Sequence, residues 1–201
     1  MKNINSVLIL LLSLTVFSCG KEDDSPVVDE DGLTKDINDL LSEENKDALT
    51  NLGFIFYGGA NPPEIENEIL VSPCVISHST AGDITGTIVS DLHVKLYNQK
   101  DFEVTVDYKH GTQVGNAVGS YIVGEDQLFS VFIEVDEKHT PTGSEAKLVL
   151  CISGQFTEDG IQNIKVANLM LDNYGNTAGL WIPNQTGRLF EDTDRFSEFI
   201  N

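Results

Sequence analysis

From about residue 53 onward, apolar and polar residues alternate in long runs. The clearest run is FEVTVDYKH, residues 102–110, in which residues 102, 104, 106 and 108 are apolar or aromatic. A period of two is typical of a strand with one buried face. We interpret nine segments as strands, near residues 54–58, 69–79, 86–97, 102–109, 117–124, 128–136, 146–156, 161–172 and 178–190, the last interrupted at Pro183.

Short turn-forming segments separate these predicted strands. Examples are NQKD at residues 98–101, GEDQ at 124–127 and TEDG at 157–160. Strands joined by short links pair as antiparallel hairpins, and closing a long meander into a barrel removes its unpaired edges. The sequence therefore predicts an all-β domain over residues 53–201, an antiparallel up-and-down barrel of eight or nine strands. The alternative is a two-sheet β-sandwich.

The segment 33–53, LTKDINDLLSEENKDALTNLG, has apolar residues three or four positions apart instead. This spacing is typical of an amphipathic helix, Ser42 is a candidate N-cap, and Gly53 stands where a helix often ends. We predict a short amphipathic helical segment over residues 33–52, either one helix or two, that pads one end of the barrel. Contact with a membrane or partner is the alternative, and the acidic residues disfavour an anionic surface.

Residues 1–18 have the layout of a signal peptide. Lys2 precedes the apolar run VLILLLSLTVF, and the small residue Ser18 ends the segment. The run is shorter than the roughly 20 residues that a membrane-spanning helix needs. We predict a cleaved signal peptide; an ordinary secretory signal with a chance cysteine and an uncleaved apolar helix are the alternatives.

The segment VFSC, residues 16–19, resembles the lipobox of bacterial lipoproteins. The resemblance implies that Cys19 is alkylated with diacylglycerol, that the chain is cut before it, and that the new amine is acylated, for example with palmitate. Two or more acyl chains hold a protein on a membrane far more firmly than one, at about 0.8 kcal/mol per buried CH₂ group.

The next residues, GKEDD, resemble the lipoprotein export signal of the Bacteroidota. The matching positions are Lys21, Glu22, Asp23 and Asp24. The resemblance implies an outer-membrane protein facing the cell exterior, with the periplasmic face as the alternative. Because residues 19–32 have little to bury, we predict that they form an acidic flexible tether.

The charge is concentrated at the front of the chain. The net charge is −20, and residues 19–68 hold 14 acidic residues against 3 lysines, whereas residues 69–201 hold 18 against 8 basic residues. About half of the charge thus lies in a quarter of the chain, which indicates a solvated leader. Nucleic acid is excluded as a partner, because binding a polyanion requires clustered cations.

Two segments carry a second resemblance. GFIFYGGANPPEIENEILVSP, residues 53–73, and SGQFTEDGIQNIKVANLMLDNYGN, residues 153–176, are similar to a group of Bacteroidota surface lipoproteins of unassigned function, although Asn67 stands where that group has glycine. The resemblance spans about residues 33–195 and implies a lipocalin-like (calycin) β-barrel. It implies no particular activity, since a fold does not fix a function.

The sequence contains no recognisable catalytic or metal-binding pattern. The histidines are His78, His93, His110 and His139. They lack two-ligand spacing, and two of them, His110 and His139, fall in predicted turns. The acid pairs at 125–126 and 136–137 also fall in predicted turns. Because nucleophile elbows, phosphate loops and dinucleotide fingerprints are missing too, we predict that the protein is not an enzyme and uses no cofactor or metal.

Three further residue types have structural interpretations. Cys74 and Cys151 each lie in an apolar run, so we expect buried free thiols, with a disulfide as the alternative. Trp181 is expected to close one barrel end, with Arg188 packing over its ring.

The residues expected to face the barrel interior are the candidate ligand-binding set. They are Phe102, Val104, Val106, Tyr108, Phe129, Val131, Ile133, Leu148, Leu150 and Ile152. An eight-stranded barrel is either filled by such side chains or holds one small ligand. We predict a lipid-anchored envelope protein that binds a small apolar or amphipathic molecule in the barrel or at its open end. The alternative is a packed scaffold whose loops, HGTQVGN and KHTPTGSE, contact a glycan or an envelope protein.

Overall fold

A computed structural model describes residues 27–200 of the chain. The predicted signal peptide, the lipidation site Cys19, the export residues Lys21, Glu22, Asp23 and Asp24, and most of the predicted tether lie outside the described residues.

The described part of the chain contains two helices and ten strands. The helices are α1, Lys35–Leu40, and α2, Glu43–Asn51. The strands are β1, Glu68–Val71; β2, Cys74–Ser79; β3, Leu92–Lys100; β4, Glu103–His110; β5, Gln113–Glu125; β6, Leu128–His139; β7, Glu145–Phe156; β8, Gly160–Asp172; β9, Gly187–Asp192; and β10, Phe196–Phe199. No helix in this region is long and apolar enough to cross a lipid bilayer.

The strands form a closed antiparallel ring. Strands β3 to β8 pair in chain order, β1 pairs with β3, and β10 pairs with both β1 and β8. Strand β9 continues the β10 ladder along β8, and β2 pairs with β9, so β1–β2 and β9–β10 act as two long interrupted strands. The ring therefore has eight strand positions, which confirms the predicted up-and-down barrel and excludes the sandwich.

A buried carboxylate joins the two interruptions of the ring. Pro73 separates β1 from β2, consistent with its missing N–H donor, and residues 193–195 separate β9 from β10. Asp192 is 3% exposed, and its Oδ2 accepts hydrogen bonds from the backbone N of Ser72 and from Oγ of Ser197, both at 2.9 Å. These bonds tie the two breaks together where the barrel closes.

Alternation divides the wall residues into two buried sets. On β7, for example, Leu150 and Ile152 face the interior, whereas Val149 and Cys151 belong to a separate cluster on the outer face. The barrel interior is filled by aliphatic and aromatic side chains from all around the ring, and these side chains are almost fully buried. Such packing is typical of a small barrel with a solid core.

The helices pack against the outer face of the barrel. Ile37 and Leu49 are fully buried against outward-facing residues such as Leu169 and Leu189. The predicted padding of a barrel end is therefore wrong: the outer faces of β5–β9 are apolar and need a cover along the wall. Ser42 does cap α2, since its Oγ accepts from the backbone N of Asn45 at 3.2 Å.

Several strand predictions need correction. Residues 54–58 form no strand, and the predicted strand 69–79 is interrupted between Val71 and Cys74. Strand β3 begins only at Leu92, β5 begins already at Gln113, and the last long strand begins at Gly187 rather than near residue 178. Residues 173–186 instead form a connection with left-handed backbone at Gly179, where φ is +67°, and at Gln185, where φ is 62°. Such conformations interrupt a strand whatever the apolar content of the segment.

The buried leucine of α2 provides a test of the helix–barrel contact. Leu49 is 0% exposed and Leu128, in the β5–β6 region, is 38% exposed. We expect Leu49→Ala to lower the free energy of unfolding by about 2–5 kcal/mol, because it leaves a cavity under α2. The matched variant Leu128→Ala should cost under about 1 kcal/mol in the same urea titration. Equal losses in the two variants would show that the helices do not stabilise the barrel.

Candidate functional site at the mouth of the barrel

Four connections meet at one end of the barrel, because neighbouring strands run in opposite directions. They are residues 80–91, 111–112, 140–144 and 173–186. We call this end the mouth.

One side of the mouth is covered by a small apolar cluster. Trp181 and Ile182, from the β8–β9 connection, pack with Ala146 and Met170 at the ends of β7 and β8. Trp181 Nε1 donates to Ser144 Oγ at 2.9 Å. Trp181 thus lies at a barrel end, as expected.

The expected stacking of Arg188 on Trp181 is not found. Instead, Arg188 Nε and Nη2 donate to Asp83 Oδ2 and Oδ1 at 2.7 and 2.9 Å. These hydrogen bonds hold the pKa of Asp83 below its ordinary value. A two-pronged pair with a carboxylate satisfies the guanidinium better than a ring face. The pair also joins the β2–β3 connection to the start of β9.

The other side of the mouth is polar and is built in two rows. His110, Gln113 and His139 are ladder neighbours on β4, β5 and β6, and we call them the rim row. Tyr108, Gly115 and Glu137 are ladder neighbours one step deeper, and we call them the floor row. The inward alternation of β4 and β6 directs Tyr108 and Glu137 into the barrel.

Gly115 makes room for the ring of Tyr108. A Cβ atom at Gly115 would lie 1.8 Å from Tyr108 Cε1, so the ring lies directly across the glycine, on the side of Glu137. Tyr108 is 7% exposed, and within residues 27–200 its hydroxyl makes no hydrogen bond of standard geometry. Burial raises the pKa of Tyr108 well above 10, and the charge of Glu137 and its closeness to the hydroxyl act in the same direction, so the phenol is neutral. The hydroxyl therefore interacts with Glu137, and its oxygen can still accept a hydrogen bond at the floor of the mouth.

Glu137 is the most perturbed carboxyl group of the mouth. It is 4% exposed, and burial raises its pKa from the ordinary 4.5 to about 7. The Tyr108 hydroxyl and the Arg188 charge oppose this rise only in part. Because Arg188 already pairs with Asp83, an ionised Glu137 leaves one negative charge without a dedicated cation.

His110 connects the rim to the core. Its ring meets that of Phe190 edge-on, with centroids 5.0 Å apart. Burial lowers the pKa of His110, and the nearby positive charge of Arg188 acts in the same direction, so the imidazole is neutral at neutral pH. At His110, the rim row therefore offers a hydrogen-bonding group but no charge.

A recess of about 270 Å³ opens above these rows. Its lining consists of Val89, Ser90, His110, Gly111, Thr112, Gln113, His139 and Leu180. The flanking connections also expose large apolar side chains: Ile84 is 79% exposed and Ile88 is 68% exposed. The mouth thus combines a polar floor with an apolar margin.

The candidate set from the sequence lies mostly in the packed interior. The residues found there are Val104, Val106, Tyr108, Phe129, Val131, Ile133, Leu148, Leu150 and Ile152. Phe102 does not face the interior: it is half-buried against the outer cluster. The reason is that Asp101 has a φ of 53°, so Phe102 belongs to a turn and the alternation begins at Glu103. Of the set, Tyr108 alone is part of the floor row.

The acid of the floor row is not among the residues predicted from the sequence. The predicted turns at residues 136–137 and at the two rim histidines are wrong, because β6 extends to His139 and β4 to His110. The missed signal is the period of two: Val131, Ile133 and Val135 face inward, and one further step reaches Glu137.

The two remaining cysteines are free, as expected, and both are buried. Cys74 lies in the interior cluster and Cys151 in the outer cluster, on opposite sides of the wall. Burial raises the pKa of Cys74 to about 12 and that of Cys151 well above 9. Both thiols are therefore poor nucleophiles.

Residues 27–200 contain no group of three or more His, Cys, Asp or Glu side chains placed to hold a metal ion. In the floor row, the polar groups are instead a neutral phenol and a titrating carboxyl. This combination suits recognition of a polar group by hydrogen bonds and charge.

The perturbed acid predicts a specific pH dependence of stability. Because the folded pKa of Glu137 is raised to about 7, folding takes up a proton between about pH 4.5 and 7, and this contribution to stability is lost as the pH rises through that window. We therefore compare the free energy of unfolding of Glu137→Gln with that of the wild type. The difference, variant minus wild type, should rise by about 3 kcal/mol when the pH is raised from acidic values to above 7.

Urea titrations at several pH values measure this difference, and subtracting the variant from the wild type removes the contribution of His110. Glu134→Gln is the matched control, since Glu134 lies on the same strand, partly exposed, and pairs with Lys147. A wild-type-minus-variant difference that stays constant with pH would contradict a raised pKa.

Comparisons with known proteins give no relative for this chain: no protein-family model, curated protein or solved structure matches it.

Proposed function

We propose that this protein is a lipid-anchored protein of the cell envelope that binds a small amphipathic molecule at the mouth of its barrel. The observation that carries the proposal is the recess of about 270 Å³, which is lined by the polar rim row and by Val89 and Leu180 and lies above the floor row. Small-molecule sites are typically concave, with apolar walls and a few convergent polar groups.

The two parts of the mouth fit the two parts of such a molecule. The rim row and the Tyr108 hydroxyl offer hydrogen bonds to a polar head, whereas Ile84, Ile88 and Leu180 offer apolar surface to a chain. The size of the recess favours a small head and a short contact along the chain, because larger ligands occupy about 300–1,000 Å³.

The packing of the barrel favours the mouth over the interior. Nine of the ten candidate interior residues, listed above, belong to a continuous buried core, so a ligand entering there would have to displace well-packed side chains. Binding at the open end involves only the last inward-facing residues below the rim, Tyr108 and Glu137.

The anchor is supported by the sequence motifs. The lipobox-like VFSC places a lipidated Cys19 eight residues before the first described residue, Val27. The export-like residues Lys21, Glu22, Asp23 and Asp24 favour the outer face of the outer membrane. An acidic tether would hold the barrel away from the lipid headgroups, with its mouth free to meet a ligand.

A second candidate function is a surface interaction module for a glycan or an envelope protein. The solid interior and the two exposed isoleucines of the β2–β3 connection, Ile84 and Ile88, favour it. Exposed apolar residues on one loop are also found at protein contacts.

Binding is tested with single-chain amphiphiles on purified protein carrying Cys19→Ser, a substitution outside the barrel. In isothermal titration calorimetry with n-octanol, n-octylamine and octanoate, we expect at least one probe to bind with one-to-one stoichiometry. Ile88→Ser should weaken it about fivefold to tenfold, because apolar contact area is lost. Ile55→Ser, at an isoleucine 41% exposed and away from the mouth, should bind as before.

Failure of all three probes to bind would contradict the proposed amphiphile site and favour the interaction module. Equal weakening by Ile55→Ser would place the site elsewhere on the surface.

Lipid anchoring is tested with radiolabelled palmitate in the native host. The wild type should take up label and sediment with membranes, whereas Cys19→Ala should do neither, because lipidation in the lipobox pattern uses that thiol. Cys151→Ala is the control and should keep the label, since Cys151 is buried in the outer cluster. Unlabelled wild-type protein in the soluble fraction would contradict the anchor.

A further inference from the structure

We infer that the ligand of the mouth carries a primary ammonium group, which Glu137 and Tyr108 hold beneath the rim row. The inference rests on the proposed function and identifies the chemical class of the polar head. It is carried by the buried Tyr108 hydroxyl, which has no hydrogen bond of standard geometry, and by the charge arrangement around Glu137 beside it.

The charges of the mouth leave one position for a cation. Arg188 and Asp83 form a two-pronged pair and cancel each other. Of the groups that face Glu137, Tyr108 is neutral and His110 is held neutral by burial. Ionised Glu137 is therefore an excess negative charge at the floor, and a ligand cation would compensate it.

The two strands that flank Glu137 bring no cation, and the positive charge that acts on its pKa is that of Arg188, which is paired with Asp83. Its ladder neighbours are Gly115 on β5 and Ala146 on β7, and neither carries a charge. On its own strand, His139 lies at the rim and its Nδ1 is 2.8 Å from Thr142 Oγ1. Lys138 lies on the opposite face and reaches Glu145.

Hydrogen bonding specifies a primary amine rather than any cation. An ammonium group has three N–H donors, and the floor row offers the Glu137 carboxylate and the Tyr108 hydroxyl oxygen as acceptors. A trimethylammonium group has no donor and is larger, so it would leave both acceptors unpaired. A carboxylate head would face Glu137, and the N–H groups of Arg188 that could receive it are bonded to Asp83.

The glycine of the floor row places the phenol beside the carboxyl group. The Tyr108 ring lies over Gly115, where no side chain separates the phenol from Glu137. Glu137 and Tyr108 are 4% and 7% exposed, and the recess opens one ladder step above them. An ammonium head would enter from this recess past the rim row, with its chain left against the apolar margin.

The test compares four octyl probes on the Cys19→Ser protein at about pH 8: n-octylamine, octyltrimethylammonium, n-octanol and octanoate. The amine is a cation throughout the range used, as lysine is. We expect octylamine to bind about tenfold to hundredfold more tightly than the other three, because only it forms charge-assisted hydrogen bonds with the floor.

Binding should also depend on pH, because an ionised Glu137 is needed. With its pKa raised to about 7, lowering the pH from about 8.5 to about 5.5 should weaken octylamine binding about 30-fold. Octanol binding should stay constant over the same range.

Three variants locate the effect. Glu137→Gln should remove both the preference for octylamine and the pH dependence, and Tyr108→Phe should weaken octylamine about threefold to tenfold while keeping the pH dependence. Glu134→Gln, on the outer face of the same strand, should bind like the wild type. Circular dichroism at each pH checks that every variant is folded.

The outcomes separate the two proposals. Equal binding of octylamine, octyltrimethylammonium and octanol would overturn the ammonium inference and leave the amphiphile site standing, as would unchanged octylamine binding in Glu137→Gln. If none of the four probes binds the wild type, the proposed function fails and the inference fails with it. The probe comparison uses wild-type barrel residues and does not depend on how any variant folds.

Discussion

Closure of the ring by β10, which pairs with both β1 and β8, is the constraint on which the rest of the structure depends. Once the ring is closed, every second residue of eight strand positions must point into one shared space. That space is filled by aliphatic and aromatic side chains along most of its length, so polar groups on the inner face are confined to the ends. At the mouth, the inward-facing positions of the strands carry polar residues instead of apolar ones.

The same constraint explains why Glu137 is buried. Strand β6 continues four residues beyond Val135, to His139, and alternation directs the next inward side chain, that of Glu137, into the barrel. An acid there destabilises the fold at neutral pH, since its raised pKa means that ionisation is unfavourable. Glutamine would fill the same volume without that cost. Where most of a sequence agrees with its fold, a residue that destabilises the fold is commonly found at a functional position.

Alternation and turn composition predicted the barrel, because both are local properties that the fold obeys. They failed where backbone conformation or distant contacts decide. Left-handed residues in the segment 173–186 prevent a strand although its middle part, AGLWI at residues 178–182, is apolar. The helices pack on the outer wall because its apolar face exists only once the strands are assembled. The floor row was partly within reach: Tyr108 follows from the alternation of β4, and Glu137 would have followed from one more step on β6. That Tyr108 and Glu137 lie on either side of Gly115 could not be predicted, because this register is set by the two hairpin turns, residues 111–112 and 126–127, and both were predicted to be longer.

The negative charge at the mouth differs from the negative charge elsewhere on the protein because it is buried. Most of the 32 acidic residues are solvated on the surface or lie in the leader, where each is compensated by water and counterions. Glu137 differs because burial removes that compensation, and the nearest guanidinium is committed to Asp83. The surface charge raises the local concentration of any cation, and Glu137, the buried carboxylate of the mouth, would determine where such a cation is held. Long-range attraction and short-range recognition would therefore select the same sign of charge in the ligand.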